Sequence, residues 1–259
     1  GKAIIAVPGV PHEMRYFIEH AVLPYLRAKL GIREVIVSRV LKLFGIGESL
    51  VDERLNDLIE AGNNPTIGLL AHTQIGEIHI RLTAKAAERV QAEALNASLE
   101  AKIRDRLQEF IFGVDEETYE GVLSALLRKA GLTVSAAETG FGSSIIQTLK
   151  LMEGSGQFFR GGVTVVSPEM AQKLLSVSPS LWTGENTNDA PLAKALAEGV
   201  RRLAGSDLGL GIAGKVGKGK GQDHVVHIAL AHSAETDCIE QRWPSAMRFI
   251  ENRMTKMAL

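Results

Sequence analysis

A single cysteine, Cys238, in 259 residues rules out a disulfide framework and a thiolate metal cluster, and it fits a reducing, cytoplasmic setting. Charge of one sign is also lacking. The formal net charge is −1, so no global field draws the chain to nucleic acid or to an anionic membrane. No apolar run reaches the roughly 18 residues that a bilayer span needs. There is no GK[ST] phosphate loop, no internal repeat and no low-complexity tract. The seven histidines are scattered. His224 and His227 stand three apart on a β-type run and project to opposite faces, so they do not share a metal. No metal and no cofactor is expected.

What remains is an ordinary globular composition, 45% apolar and 23% charged, with length for several small cores or one large domain. The N-terminal "KAIIAVPG" reads as a strand stopped by Pro8-Gly9, and a helix follows across "EMRYFIEHAVLPYLRAKL". "EVIVSRVLKLFG" is β-rich, and "IGESLVDERLNDLIEAG" has helical spacing. "TIGLLAHT" and "EIHIRLTAKA" read as two strands about the turn "QIG". The second alternates, with Ile78, Ile80 and Leu82 on one face and His79, Arg81 and Thr83 on the other. Residues 85–109 read as a long amphipathic helix, and Gly113 with the acidic stretch after it marks a boundary near 110–116. Asp115, Glu116 and Glu117 read as an acidic helix start.

Beyond that point helices alternate with β runs. The pattern predicts a helix over 117–130, strands at 132–136, 161–167, 207–213 and 224–231, and a helix opened by Pro168, whose missing N–H costs nothing at that position. A further helix covers "NDAPLAKALAEGVRRLAG", and "PSAMRFIENRMTKMAL" closes the chain as a helix. Such alternation implies an α/β layered domain with its strands in one sheet.

Seven separate segments, in order along the chain, resemble one family. They are "PGVPHEM", "SRVLKLFGIGES", "NPTIGLLAHT…GEIHIRLTAKA", "FIFGVDEET", "LTVSAAET", "FFRGGVTVVSPE" and the closing helix. The family is CinA, the competence/damage-inducible proteins. The resemblance implies three parts. Residues 1–33 are the C-terminal remnant of a molybdopterin-binding-like domain of ADP-ribose pyrophosphatase type. Residues 34–112 are a small α+β KH-like domain with a connecting helix. Residues 113–259 are an α/β CinA C-terminal domain of the kind that deamidates nicotinamide mononucleotide. The segment that carries the pyrophosphatase chemistry lies upstream of residue 1 in the family, so that activity is not expected here. The KH-like segment has no GxxG loop with flanking basic residues, so no nucleic-acid partner is expected.

The family's amidase turn reads AESCTGG, with the Ser as nucleophile, assisted by a Lys and a Tyr in the next segment and by a pocket Thr in a VTGIAGP turn. In this sequence the turn reads "AETGFGS". Thr139 takes the Ser position, Val166 the Tyr position, Ala171 the Lys position and Ala213 the Thr position; a family Arg near the last helix falls on Met247. Lys173, two residues beyond Ala171, is turned about 200° round the helix and is a poor substitute. A hydroxyl needs a neighbouring base to act as a nucleophile, and the resemblance supplies none. Two readings follow. In the first, the domain has lost its deamidase chemistry and serves as a nucleotide-binding or structural module in a homo-oligomer. In the other, it is an active amidohydrolase on nicotinamide mononucleotide with Thr139 as nucleophile. The expected ligand is a nucleotide or other phosphate-bearing small molecule. Expected to hold it are Glu138, Gly142, Ser143, Arg160, Gly214 and Lys215, around a helix start whose free N–H groups attract anions. The loop "GKVGKGKGQ" reads either as a lysine lid over this pocket or as a solvated turn.

Overall fold

The computed structural model describes residues 3–31, 34–139, 144–182, 190–215, 223–244 and 250–259. The chain divides into two compact units. The first comprises Gly1–Val40, Ser49–Leu69 and Ile80–Gln108, and the second comprises Leu41–Glu48, Leu70–His79 and Glu109–Leu259.

At the N-terminus, α1 (Pro11–Phe17) continues through a π-helical turn (Ile18–Val22) into α2 (Leu23–Leu30), and none of these residues is buried. The strand expected at residues 2–8 is not formed over its described part, Ala3–Pro8. A strand exists only where a second backbone satisfies its N–H and C=O groups, and no described strand pairs there.

The next strands match the sequence pattern. They are β1 (Val35–Phe44), β2 (Thr66–His72), β3 (Glu77–Ala86) and β4 (Ile111–Val114), in one sheet ordered β2-β3-β1-β4. Along β3 the expected alternation holds, with Ile78, Ile80 and Leu82 buried and Arg81 exposed. In the first unit α3 (Glu48–Ala61) buries Val51 and Leu55, and α4 (Arg89–Leu107) buries Ala92, Ile103 and Leu107. The α4 residue Asn96 donates to the Val37 carbonyl at 2.9 Å. Helix α4 starts four residues later than expected because β3 runs to Ala86. Gly113, read as a break, lies within β4 and pairs with Lys42 of β1.

In the second unit α5 (Tyr119–Ala130) starts at Thr118, whose hydroxyl accepts from the Gly121 N–H at 3.1 Å, and stops at Gly131 with φ 66°. Only glycine adopts that conformation without cost. A five-stranded sheet follows. Its strands are β5 (Val134–Thr139), β6 (Phe159–Thr164), β7 (Leu208–Lys215), β8 (His224–Ala231) and β9 (Thr236–Trp243), in the order β6-β5-β7-β8-β9. Strands β6, β5 and β7 are parallel, and β8 and β9 add antiparallel. The four expected strands do share one sheet. Strand β9 escaped the sequence reading because its apolar positions are few and its residues half-exposed.

Helices cover both faces, which are filled by two apolar clusters. One joins Val134, Ala136, Leu210 and Ile212 to residues of α5, of α6 (Ser144–Leu151) and of α10 (Ile250–Ala258). The other joins Ala137 and Ala213 to residues of α8 (Pro168–Leu175) and α9 (Ala190–Ala204). A short helix, α7 (Ser155–Phe158), lies between α6 and β6. Helix α8 has Ser167 as its N-cap, accepting from Met170 N–H at 3.3 Å. Helix α9 lies very close to the sheet: a Cβ on Gly211 of β7 would stand 2.1 Å from the Ala193 carbonyl oxygen.

Candidate functional site

The order β6-β5-β7 creates a topological switch point. From β5 the chain crosses by α6 and α7 to β6 on one side, and from β6 by α8 and α9 to β7 on the other. In parallel sheets ligands bind outside the carboxyl ends of the strands at such a point. The residues there are Glu138 and Thr139, which end β5. They pair with Ile212 and Ala213 of β7, and Glu138 also pairs with Thr164 of β6.

The sequence reading stopped this strand at residue 136. It extends to Thr139, because β6 pairs with it as far as Glu138 and β7 as far as Thr139. The extension matters chemically, since adjacent strand residues face opposite ways. Val134 and Ala136 belong to the α6 side, and Ala137 to the α8–α9 side. Glu138 therefore faces α6 and Thr139 faces α8 and α9.

Glu138 is 0% exposed, and neither carboxyl oxygen has a hydrogen-bond partner among the described residues. Burial pushes its pKa up to about 7. The backbone N–H groups of Ile146 and Ile145 pull the other way, without reaching hydrogen-bond geometry. Helix α6 is joined to α10 at this end, where Thr255 Oγ1 donates to Ser144 Oγ at 3.1 Å.

Thr139 is buried, and no hydrogen bond to its hydroxyl is formed among the described residues. On its side of the sheet, Ala171 is 1% exposed and packs among Leu175, Leu192 and Val165. Ala213 is fully buried, Val166 is 80% exposed, and Lys173 lies exposed on α8.

The structure thus brings together Glu138, Thr139 and Gly214, the last being one residue beyond Ala213 at the end of β7. It does not bring Arg160 to them. Arg160 stands at the start of β6, between the residues paired with Val134 and Ser135, and its charge helps lower the pKa of Asp207. Four residues of strand separate Arg160 from Thr164, roughly 13 Å. Gly142, Ser143, Met247, the 216–222 loop and the Lys215 side chain lie outside the described residues.

A second polar cluster in the same unit was missed by sequence reasoning. Lys256 of α10 pairs with Glu77, the first residue of β3, and both are buried. Glu77 also pairs with His79 Nε2 at 2.8 Å, whose ring lies 4.1 Å from that of His72. The Lys256 ammonium stands 5.7 Å and 5.5 Å from the ring centres of Phe112 and Tyr119. No local pattern marks a pair 179 positions apart.

Among the described residues, His232, Glu235 and Asp237 offer ligand atoms close enough for one cation. His232 Nδ1 accepts from the Ala234 N–H at 3.2 Å, so in the neutral ring Nε2 carries the proton and is not free to ligate. No helix among them is long and apolar enough to cross a membrane.

Residues 116–259 match the CinA C-terminal domain, and residues 38–113 match the damage-inducible protein CinA KH domain. The chain belongs to the CinA family. A relative from Moorella thermoacetica, named as a competence-damage inducible protein, is 39% identical over 223 residues, 86% of this chain and 53% of its own. A CinA-like protein of Gloeobacter violaceus is 35% identical over 246 residues, 93% of this chain and 57% of its own. The chain thus spans little more than half the length of these curated CinA relatives. The crystal structure of the competence damage-inducible protein A from Klebsiella pneumoniae has the same fold over 54% of this chain and 89% of that one, with a TM-score of 0.50 and 17% identity. A KH-like domain followed by a CinA C-terminal domain is therefore the architecture of this family member.

Proposed function

We propose that the switch-point crevice is a CinA-type pocket that binds a phosphate-bearing nucleotide and has lost the deamidase chemistry that the family resemblance implies. The observation that carries the reading is Ala171. It lies on the side of the sheet that Thr139 faces, at the position to which the resemblance gives a lysine, and it is a methyl group closed into the core. Without a base the Thr139 hydroxyl stays protonated and a poor nucleophile at neutral pH. Loss of a general base costs about 10²–10⁴-fold in rate. Binding makes a smaller demand. The first-turn amides of α6, which have no partner within the helix, and the backbone at Gly214 need no particular side chain.

One observation favours the rival amidohydrolase. A carboxyl with a pKa of about 7 is poised to act as a base, and Glu138 adjoins Thr139. Strand alternation, however, turns the two side chains to opposite faces. The test is ammonia release from nicotinamide mononucleotide by the purified chain, beside calorimetry with the same compound. The expected result is binding heat without ammonia above background, unchanged in Thr139→Ala. Robust release that Thr139→Ala abolishes would establish the rival.

A further inference from the structure

The first-turn amides of a helix have no partner within the helix and carry its positive partial charge. In α6 the amides of Ile145 and Ile146 act on a group inside the fold. That group is Glu138, fully buried, with both carboxyl oxygens unpartnered among the described residues. A buried carboxylate without donors is costly, and it is relieved by a proton or by donors. Among the described residues, the groups acting to hold its charge are the amides of Ile146 and Ile145. An anion arriving from outside would draw on the same end of the same helix.

We infer that Glu138 is an internal competitor for the amino end of α6, so that an anionic ligand binds there with uptake of one proton by Glu138. This rests on the pocket reading above. Two negative charges drawing on the same helix end disfavour each other's ionised form. Reciprocity then requires that the ligand raise the affinity of Glu138 for its proton by the factor by which that proton raises the affinity for the ligand.

β6 and β7 place Thr164 and Ile212 beside Glu138 in register. Of the cations on the packed elements, Lys150 is exposed in the last turn of α6, and Lys256 of α10 is held by Glu77. Arg253 of α10 donates to the Thr73 carbonyl at 3.0 Å. No described charged side chain contributes to the titration of Glu138.

The experiment is calorimetry on the whole chain between about pH 6 and pH 8.5, with sulfate and with nicotinamide mononucleotide, in buffers of different ionisation enthalpy. Sulfate does not titrate in this range, whereas a phosphate monoester does so near pH 6. The expected result is a sulfate affinity that falls about tenfold per pH unit above about pH 7, with one proton taken up. Glu138→Gln should bind with no pH dependence and no proton uptake. Should that variant misfold, a carbon-13 titration of the wild-type Glu138 carboxyl, with and without sulfate, gives the same answer: the ligand should raise its pKa. Binding that is flat with pH in the wild type, or still pH-dependent in Glu138→Gln, overturns the coupling alone. Absence of binding at every pH overturns the pocket reading and the coupling together.

Discussion

The buried Glu77–Lys256 pair gives the sharpest test of how the second unit is held together. Lys256→Met keeps the length and apolar stem of the side chain and removes only the charge. Glu77 then stays buried, with the His79 ring nitrogen still 2.8 Å away. Breaking a buried pair on one side typically costs about 3–5 kcal/mol, and the cation–π contacts with Phe112 and Tyr119 are lost as well. Replacing both partners, as in Glu77→Gln with Lys256→Met, removes the stranded charge and should cost about 2 kcal/mol less than the single lysine change. At roughly 2–4 °C per kcal/mol for a domain of this size, Lys256→Met should lower the unfolding midpoint by on the order of 10 °C. Both tryptophans, Trp182 and Trp243, lie in the second unit, so fluorescence during urea or thermal unfolding reports on it. The pH dependence has a definite sign. Burial pushes Glu77 up, but the hydrogen bonds and charges of Lys256 and His79 hold it below its ordinary 4.5. Its contribution is therefore complete above pH 4.5 and is lost as pH falls through the lower folded value. The gap between wild type and Lys256→Met should be full at neutral pH and narrow as the pH falls below 4.5. Equal midpoints for wild type and both variants, or a coupling under about 0.5 kcal/mol in the complete double-mutant cycle, would refute this account.

Other consequences are as direct. Gly211→Ala would place a Cβ 2.1 Å from the Ala193 carbonyl oxygen and 2.4 Å from the Ala197 amide nitrogen, so it should destabilise by at least about 1–3 kcal/mol. Gly156→Ala, where a Cβ meets nothing within 4 Å, is the control and should unfold close to wild type in the same denaturation assay. Glu138→Gln should be more stable than wild type at pH 8 and not at pH 5. The folded carboxyl titrates at about 7 against 4.5 for the ordinary group, so wild-type stability present below 4.5 is lost as pH rises through 7. Equal midpoints at both pH values would argue that Glu138 is solvated. Phe158→Ala empties one of the largest buried side-chain positions and should cost about 3–5 kcal/mol, read as a lower urea midpoint with an unchanged slope.

Local pattern determined much of this protein. Period-two alternation placed β3 and its buried face, Pro168 after Ser167 placed the start of α8, and the regular exchange of strand and helix placed four strands in one sheet. These are short-range effects: they depend on side-chain spacing and on backbone N–H groups satisfied within a few residues. The matched segments also carried the family, and with it the positions Thr139, Val166, Ala171 and Ala213.

The tertiary structure decided the rest. It carried β5 on to Thr139, because a strand ends where its neighbours stop pairing. It put Glu138 and Thr139 on opposite faces, moved Arg160 to the far end of β6, and made β9 a strand through its partner β8. It joined Glu77 to Lys256 and Ser144 to Thr255 across more than a hundred residues. A carboxyl group's partners, burial and proton affinity depend on which distant segments close around it, and one-dimensional spacing does not encode that.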